Sequence, residues 1–258
     1  LRNDFLTGDI LMNLDTEEEG ELYIGCAGGK GTTATFSYKE DQVPLNYYWF
    51  NIHVRGLNGG HSGSEIHKGL GNANKILVRF LWSLLRKMDL RITQISGGNL
   101  HNAIAREATA LAGVPIGDKD RVVQMLNIFI ADVEAELKAV DPNVKILIET
   151  TDEPSFVIDH KTTANLLNAL LACPHGVLAM SQEIPGLVEA STNLASVKMN
   201  DSKQILIGTS QRSSTESLKN YAANMVNAVF TLGGATVEHG EGYPGWKPNP
   251  DSEIVKTT

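Results

Sequence analysis

The sequence predicts an α+β protein with an antiparallel sheet and helices on one face of that sheet. Short apolar strands and amphipathic helical patterns follow one another in the order β-α-β-β-α-β over residues 47–150, and a similar order follows Pro154. This order is typical of a ferredoxin-like unit, in which two helices pack on one face of an antiparallel sheet. We therefore expect a duplicated ferredoxin-like fold, whose two sheets join edge to edge.

The elements of the first half are predicted from their periodicity. Residues 47–54 alternate as a strand, and residues 73–88 place apolar side chains at helical spacing with lysines and arginines on the opposite face. Asp118 stands near the N-cap of a further helix. The remaining predicted elements are strands over 90–95, 105–114 and 144–150 and the helix over 118–140.

The second half repeats the pattern less regularly. It is predicted to contain helices over 161–171 and 214–232 and strands near 176–180, 188–199, 204–209 and 236–238.

The amino-terminal part predicts a different domain. Residues 10–14 and 22–24 resemble short strands, and the glycines of residues 25–31 predict a loose joint. We therefore expect residues 1–30 to belong to a separate α/β domain. The remaining expected divisions are a second domain over 31–240, with halves 31–152 and 153–240, and a return to the first domain over 241–258.

Composition excludes several classes of partner. A content of 42% hydrophobic and 20% charged residues is that of an ordinary globular protein. A net charge of -8 argues against a nucleic-acid partner, because phosphate binding needs clustered lysines and arginines. No apolar stretch is long enough to predict a membrane span. Cys26 and Cys173 are too few for a disulfide scaffold, so a reducing cytoplasm is expected.

A glycine-rich run around His61 is the most informative segment. Residues 57–63 read LNGGHSG. Glycines on both sides remove Cβ atoms that would crowd the backbone and permit positive φ values, so we expect a tight turn that presents the His61 ring. The segment alone is equally compatible with a histidine that only caps a loop.

Three further residues are candidates for binding chemistry. Asp15 directly follows an apolar strand, where a carboxylate can bind a cation, or where it can form an Asx-turn or an N-cap. Asn102, in the run GGNLHNAI, carries an amide with donors and an acceptor, and by itself it is typical of a turn. Arg212 stands just before a predicted helix, and it is either a surface residue or the guanidinium that binds a carboxylate.

The segments around His61, Asn102 and Arg212, together with NLDTEEEG at 13–20 and YPGW at 243–246, resemble motifs of the aminoacyl-histidine dipeptidases of the M20 metallopeptidase family. The resemblance implies a cytoplasmic dizinc enzyme, with Mn or Co as substitutes for Zn, that hydrolyses Xaa-His dipeptides such as β-alanyl-histidine. It also implies a homodimer formed through residues 31–240, which would be the lid and dimerisation domain. Residues 1–30 and 241–258 would then be short flanks of an α/β catalytic domain. Asp15 would ligate metal, His61 would stabilise the oxyanion, and Asn102 and Arg212 would hold the substrate.

The sequence also departs from the family pattern. The family's His-x-Asp motif, its bridging Asp, its Glu-Glu pair and its late His ligand have no match here. We therefore expect a fragment that binds no metal tightly and is inactive alone. Ala105 stands where relatives have proline, which leaves substrate choice open. The alternatives are a related M20 tripeptidase, a broad-specificity dipeptidase, or a dimerisation module without activity.

Overall fold

The computed structural model describes residues 23–246, 249 and 251–257. Asp15 and the predicted strand over 10–14 lie outside these residues. Tyr23 and Ile24 are described and belong to no strand, so the prediction of a strand there is wrong at these two positions.

The described residues form thirteen strands and five α-helices. The strands are β1 (Gly28–Ser37), β2 (Glu40–Asp41), β3 (Tyr47–Arg55), β4 (Gly60–His61), β5 (Arg91–Gly97), β6 (Ala103–Ile104), β7 (Ala108–Pro115), β8 (Lys145–Thr150), β9 (Val157–Ile158), β10 (Gly176–Met180), β11 (Val188–Asn200), β12 (Gln204–Ser213) and β13 (Thr236–His239). The helices are α1 (Ala73–Leu85), α2 (Lys119–Leu137), α3 (His160–Ala172), α4 (Glu216–Leu232) and α5 (Glu253–Thr257).

Nine of the strands form one antiparallel sheet, which confirms the predicted α+β class. Its order is β13-β1-β12-β11-β5-β7-β3-β8, and β10 pairs with β11. The strands β8-β3-β7-β5 come from the first half of the chain. The strands β13-β1-β12-β11 have the same relative order, because in each group the first strand along the chain, β3 or β1, lies beside the last, β8 or β13. The two groups meet through β5 and β11, at the pair Gly97 and Val197.

The helices cover one face of the sheet. Helix α1 packs on β3 and β7, helix α4 packs on β1 and β12, and α3 lies between α1 and α4. In β12, Ile205 and Ile207 are fully buried in the core that these helices cover. Because side chains alternate along a strand, Ser210 and Arg212 lie on the opposite face of the sheet. None of the described helices combines the length and apolar character needed to cross a membrane.

The glycines near residue 30 do not form a loose joint. Gly28 begins the ten-residue strand β1, which pairs with both β12 and β13. A Cβ added at Gly28 would lie 2.7 Å from the Tyr243 carbonyl oxygen, and one at Gly29 would lie 2.6 Å from the Tyr243 ring. These glycines therefore allow a second chain segment to pack closely against β1, and they belong to a strand that is paired on both sides.

Candidate substrate-binding site

The His61 loop is fixed at both of its ends. Asp141 is 1% exposed, and its two carboxylate oxygens accept hydrogen bonds from the backbone N–H groups of Asn58 and Gly71, each over 2.6 Å. The N–H of His61 donates to the carboxylate of Glu65 over 2.8 Å. Hydrogen bonds to a charged acceptor are stronger than neutral ones, so these bonds stabilise the conformation of the loop.

The loop also pairs with the segment that carries Asn102. Strand β4 pairs with β6 so that His61 lies opposite Ala103, and the N–H of Ser62 donates to the carbonyl oxygen of Asn102 over 2.8 Å. Asn193, in β11, is 1% exposed, and its amide donates to the Ala103 carbonyl oxygen over 2.9 Å. Asn102 is therefore placed beside the His61 loop.

The hydrogen bonds of the His61 ring define its tautomer. The N–H groups of Gly63 and Ser64 point at Nδ1 over 3.3 Å and 3.2 Å. Nδ1 must therefore be the acceptor, and the neutral imidazole carries its proton on Nε2. Because Nδ1 is occupied by these donors, Nε2–H is the group of His61 that is free to act on a substrate.

The charge state of His61 agrees with this tautomer. Partial burial lowers the pKa of His61, the positive charge of Arg212 lowers it further, and the carboxylate of Glu65 opposes both effects. The imidazole is consequently neutral at pH 7, and it acts as a hydrogen-bond donor without carrying a charge.

Arg212 reaches the same place from the other half of the sheet. It is the penultimate residue of β12 and lies between Ser191 of β11 and Gly29 of β1. A Cβ added at Gly63 would lie 3.0 Å from Cε1 of His61 and 3.3 Å from Cζ of Arg212. The imidazole and the guanidinium therefore meet at Gly63, and a glycine there leaves room for both.

Asn102 and His61 line one open cleft of about 1170 Å³. Asn102 is half-buried, in the turn between β5 and β6. The cleft continues along the uncovered face of the sheet past His53, Arg106 and Lys198. The structure thus places Asn102 beside the His61 loop and Arg212 beside the His61 ring, and Arg212 is not among the residues that line the cleft. The fourth predicted site residue, Asp15, lies outside the described residues.

A metal centre is not found in the described residues. They contain no group of three or more histidine, cysteine, aspartate or glutamate side chains that could hold a metal ion. The chemistry of the described site is that of hydrogen-bond donors and one cation, which fits the binding of an oxyanion and a carboxylate and does not fit a metal.

Comparison with known proteins assigns this arrangement to a family. Residues 52–141 match the peptidase dimerisation domain of the M20 family. The chain is 38% identical over 255 residues to the cytosol non-specific dipeptidase of Escherichia coli (strain K12), covering 99% of this chain and 52% of that protein. The crystal structure of aminoacylhistidine dipeptidase from Vibrio alginolyticus matches with a TM-score of 0.92 at 36% identity. The chain belongs to the M20 peptidase family.

The match extends over almost the whole chain and over only part of each relative. It covers 98% of this chain and 51% of the Vibrio protein. This M20 chain therefore spans about half the length of the relatives that it matches.

Two residues that the sequence indicates only weakly also contact this site. Asn193 and Tyr243 contact β6 and Arg212, respectively. Tyr243 lies in the YPGW run that carried part of the resemblance, but its contact with Arg212 depends on strand pairing that no local pattern reveals.

Proposed function

We propose that this chain provides the substrate-binding part of an M20 dipeptidase that hydrolyses dipeptides with a C-terminal histidine. One observation carries the proposal: the imidazole of His61, whose Nδ1 accepts from Ser64, and the guanidinium of Arg212 converge at Gly63. A neutral donor and a fixed cation side by side suit a substrate that carries a carbonyl oxygen close to a free carboxylate, as a dipeptide does.

The residues act on different parts of that substrate. Arg212 binds the free carboxylate, because a guanidinium offers two parallel donors to its two oxygens. His61 donates from Nε2 to the oxygen of the scissile carbonyl, where negative charge develops in the transition state. Asn102 offers an amide from the same cleft wall and hydrogen-bonds the substrate. The spacing between Arg212 and His61 then selects a peptide bond one residue from the C-terminus.

The metal requirement rests on the family resemblance. We propose two zinc ions in the full-length enzyme, replaceable by Mn or Co, with Asp15 as the ligand supplied by this chain. In a hydrolase such ions activate water. Because the family's other metal-binding motifs have no match in this sequence, we expect this chain alone to bind zinc weakly and to be inactive.

The relatives support the remaining assignments. The Escherichia coli relative is named as a cytosolic dipeptidase, and we propose a cytoplasmic location for this protein. The match of residues 52–141 to a dimerisation domain supports a homodimer formed through the lid domain over residues 31–240. We further propose that residues 1–30 and 241–258 are flanks of the catalytic domain.

One observation favours a second candidate. The Escherichia coli relative is named non-specific, while the Vibrio relative is named for aminoacyl-histidine substrates. A broad-specificity dipeptidase is therefore the alternative, and it uses the same His61 and Arg212 roles without selecting histidine.

The test compares the 258-residue chain with the full-length protein on β-alanyl-histidine, with added zinc. We expect hydrolysis by the full-length protein only. His61→Ala in that protein should lower kcat by about 100-fold, as for other oxyanion donors, and leave bound zinc unchanged. Equal hydrolysis of dipeptides with other C-terminal residues would support the broad-specificity alternative. Absence of dipeptide hydrolysis by the full-length protein would refute the proposal and leave the tripeptidase and the dimerisation module as the remaining candidates.

A further inference from the structure

The phenol of Tyr243 is the hydrogen-bond partner of the Arg212 guanidinium. Nη1 of Arg212 donates to the Tyr243 hydroxyl oxygen over 3.1 Å. A guanidinium has five N–H donors, so this bond leaves donors free for a carboxylate. The phenol thus fixes one edge of the guanidinium without occupying the whole group.

The Tyr243 backbone is held in place from two sides. Tyr243 and Gly29 exchange two backbone hydrogen bonds, of 2.8 Å and 3.2 Å. The carbonyl oxygen of Tyr243 also accepts from Nζ of Lys219, over 2.6 Å, and the Lys219 side chain is 3% exposed. A charge-assisted bond from a buried lysine is costly to break, so the position of Tyr243 is set by the sheet and by α4.

Gly29 brings the phenol to Arg212. Gly29 and Arg212 are cross-strand partners in β1 and β12. A Cβ at Gly29 would lie 2.6 Å from two carbons of the Tyr243 ring, so the ring lies directly on this glycine. The phenol is consequently next to the cross-strand neighbour of Gly29, which is Arg212.

We propose that Tyr243 is a positioning residue that orients Arg212 for the C-terminal carboxylate of the substrate. This inference rests on the proposed role of Arg212. The long arginine side chain has many rotamers, and holding it in one of them lowers the entropy that carboxylate binding would cost. Tyr243 therefore governs ground-state binding of the carboxylate, while His61 acts in the transition state.

The test uses Tyr243→Phe in the full-length protein, because phenylalanine keeps the ring on Gly29 and removes only the acceptor. We expect KM for the dipeptide to rise about tenfold, the size of one hydrogen bond to a charged group, with kcat within about twofold of wild type. Tyr221→Phe is the matched control, because Tyr221 lies 59% exposed on α4. Its KM should not change.

Two inhibitors separate orientation of Arg212 from a general structural effect. Tyr243→Phe should weaken inhibition by histidine about tenfold and leave inhibition by histidinol, which lacks the carboxylate, unchanged. Gly29→Ala, which displaces the ring, should reproduce this selective loss. Equal changes for both inhibitors, or none, would overturn the role of Tyr243.

A further variant separates this inference from the proposed function. Arg212→Lys should raise KM, and Tyr243→Phe should then add nothing to it. If Arg212→Lys raises KM while Tyr243→Phe does not, the positioning role fails and the proposed function stands. If Arg212→Lys leaves KM unchanged, Arg212 does not bind the substrate carboxylate, and the positioning role of Tyr243 is refuted as well.

Discussion

Gly63→Ala tests the convergence of His61 and Arg212 directly. The new Cβ would lie 3.0 Å from Cε1 and 3.2 Å from Nδ1 of His61, and 3.3 Å from Cζ of Arg212. Ordinary contacts of this kind are about 3.5 to 4.0 Å, so both side chains must move by a few tenths of an ångström. A displacement of about 1 Å at a catalytic group costs about 100-fold in rate. A movement of less than half that size predicts a fall in kcat/KM of about tenfold.

The expected loss is confined to catalysis. Gly63 does not have a positive φ, so alanine is compatible with its backbone conformation. The free energy of unfolding should change by less than about 0.5 kcal/mol, as for other surface substitutions. Steady-state kinetics on a dipeptide and urea unfolding of the full-length protein measure the two quantities. Gly117→Ala is the control, because nothing lies within 4 Å of its added Cβ. Wild-type kcat/KM in Gly63→Ala would refute the reasoning.

Three other outcomes follow from the charges near the site and the core. Because activity needs the neutral His61 ring, activity should fall as pH drops through the pKa of His61, which Arg212 helps to lower. Arg212→Met should therefore move the acid limb of the kcat profile to higher pH. An unmoved limb would show that Arg212 does not affect the pKa of His61. Burial lowers the pKa of His175 to about 4, so the free energy of unfolding should be highest above about pH 6.5 and fall by about 3 kcal/mol towards pH 4. Urea unfolding at both pH values should show a smaller fall for His175→Asn than for wild type. An equal fall in both proteins would contradict this prediction. Asp141→Asn should lower the free energy of unfolding at pH 7 by about 3 kcal/mol, because the amide nitrogen cannot accept a hydrogen bond from the Gly71 N–H. Unchanged urea unfolding would show that the hydrogen bonds of Asp141 do not contribute to stability.

Periodicity was sufficient to predict the four long helices. Apolar spacing in the predicted helix over 73–88 reflects a buried stripe that includes Leu77 and Leu81, and α1 follows it from Ala73 to Leu85. The helix ends earlier than predicted because the N–H groups of Lys87 and Met88 both bond to the Leu84 carbonyl oxygen. Helix ends depend on such local bonds, which apolar spacing does not encode.

The site was only partly predictable. The glycines around His61 and the position of Arg212 before α4 are local features, and both residues could be named as candidates. Their meeting depends on the pairing of β4 with β6 and of β12 with β1 and β11, which joins segments far apart in the chain. The tautomer of His61 likewise depends on two backbone N–H groups whose direction only the folded loop determines.

Glycine shows why one residue type supported a correct prediction and a wrong one. At Gly59 the backbone has φ +66°, so the expected tight turn beside His61 is present. At Gly28 and Gly29 the same residue type suggested a loose joint, and the structure shows a paired strand. The missing Cβ is used there for close approach of residues 243–245, which lie near the other end of the sequence. A glycine run therefore indicates that Cβ atoms are excluded, and only the partner segment decides between a flexible joint and tight packing.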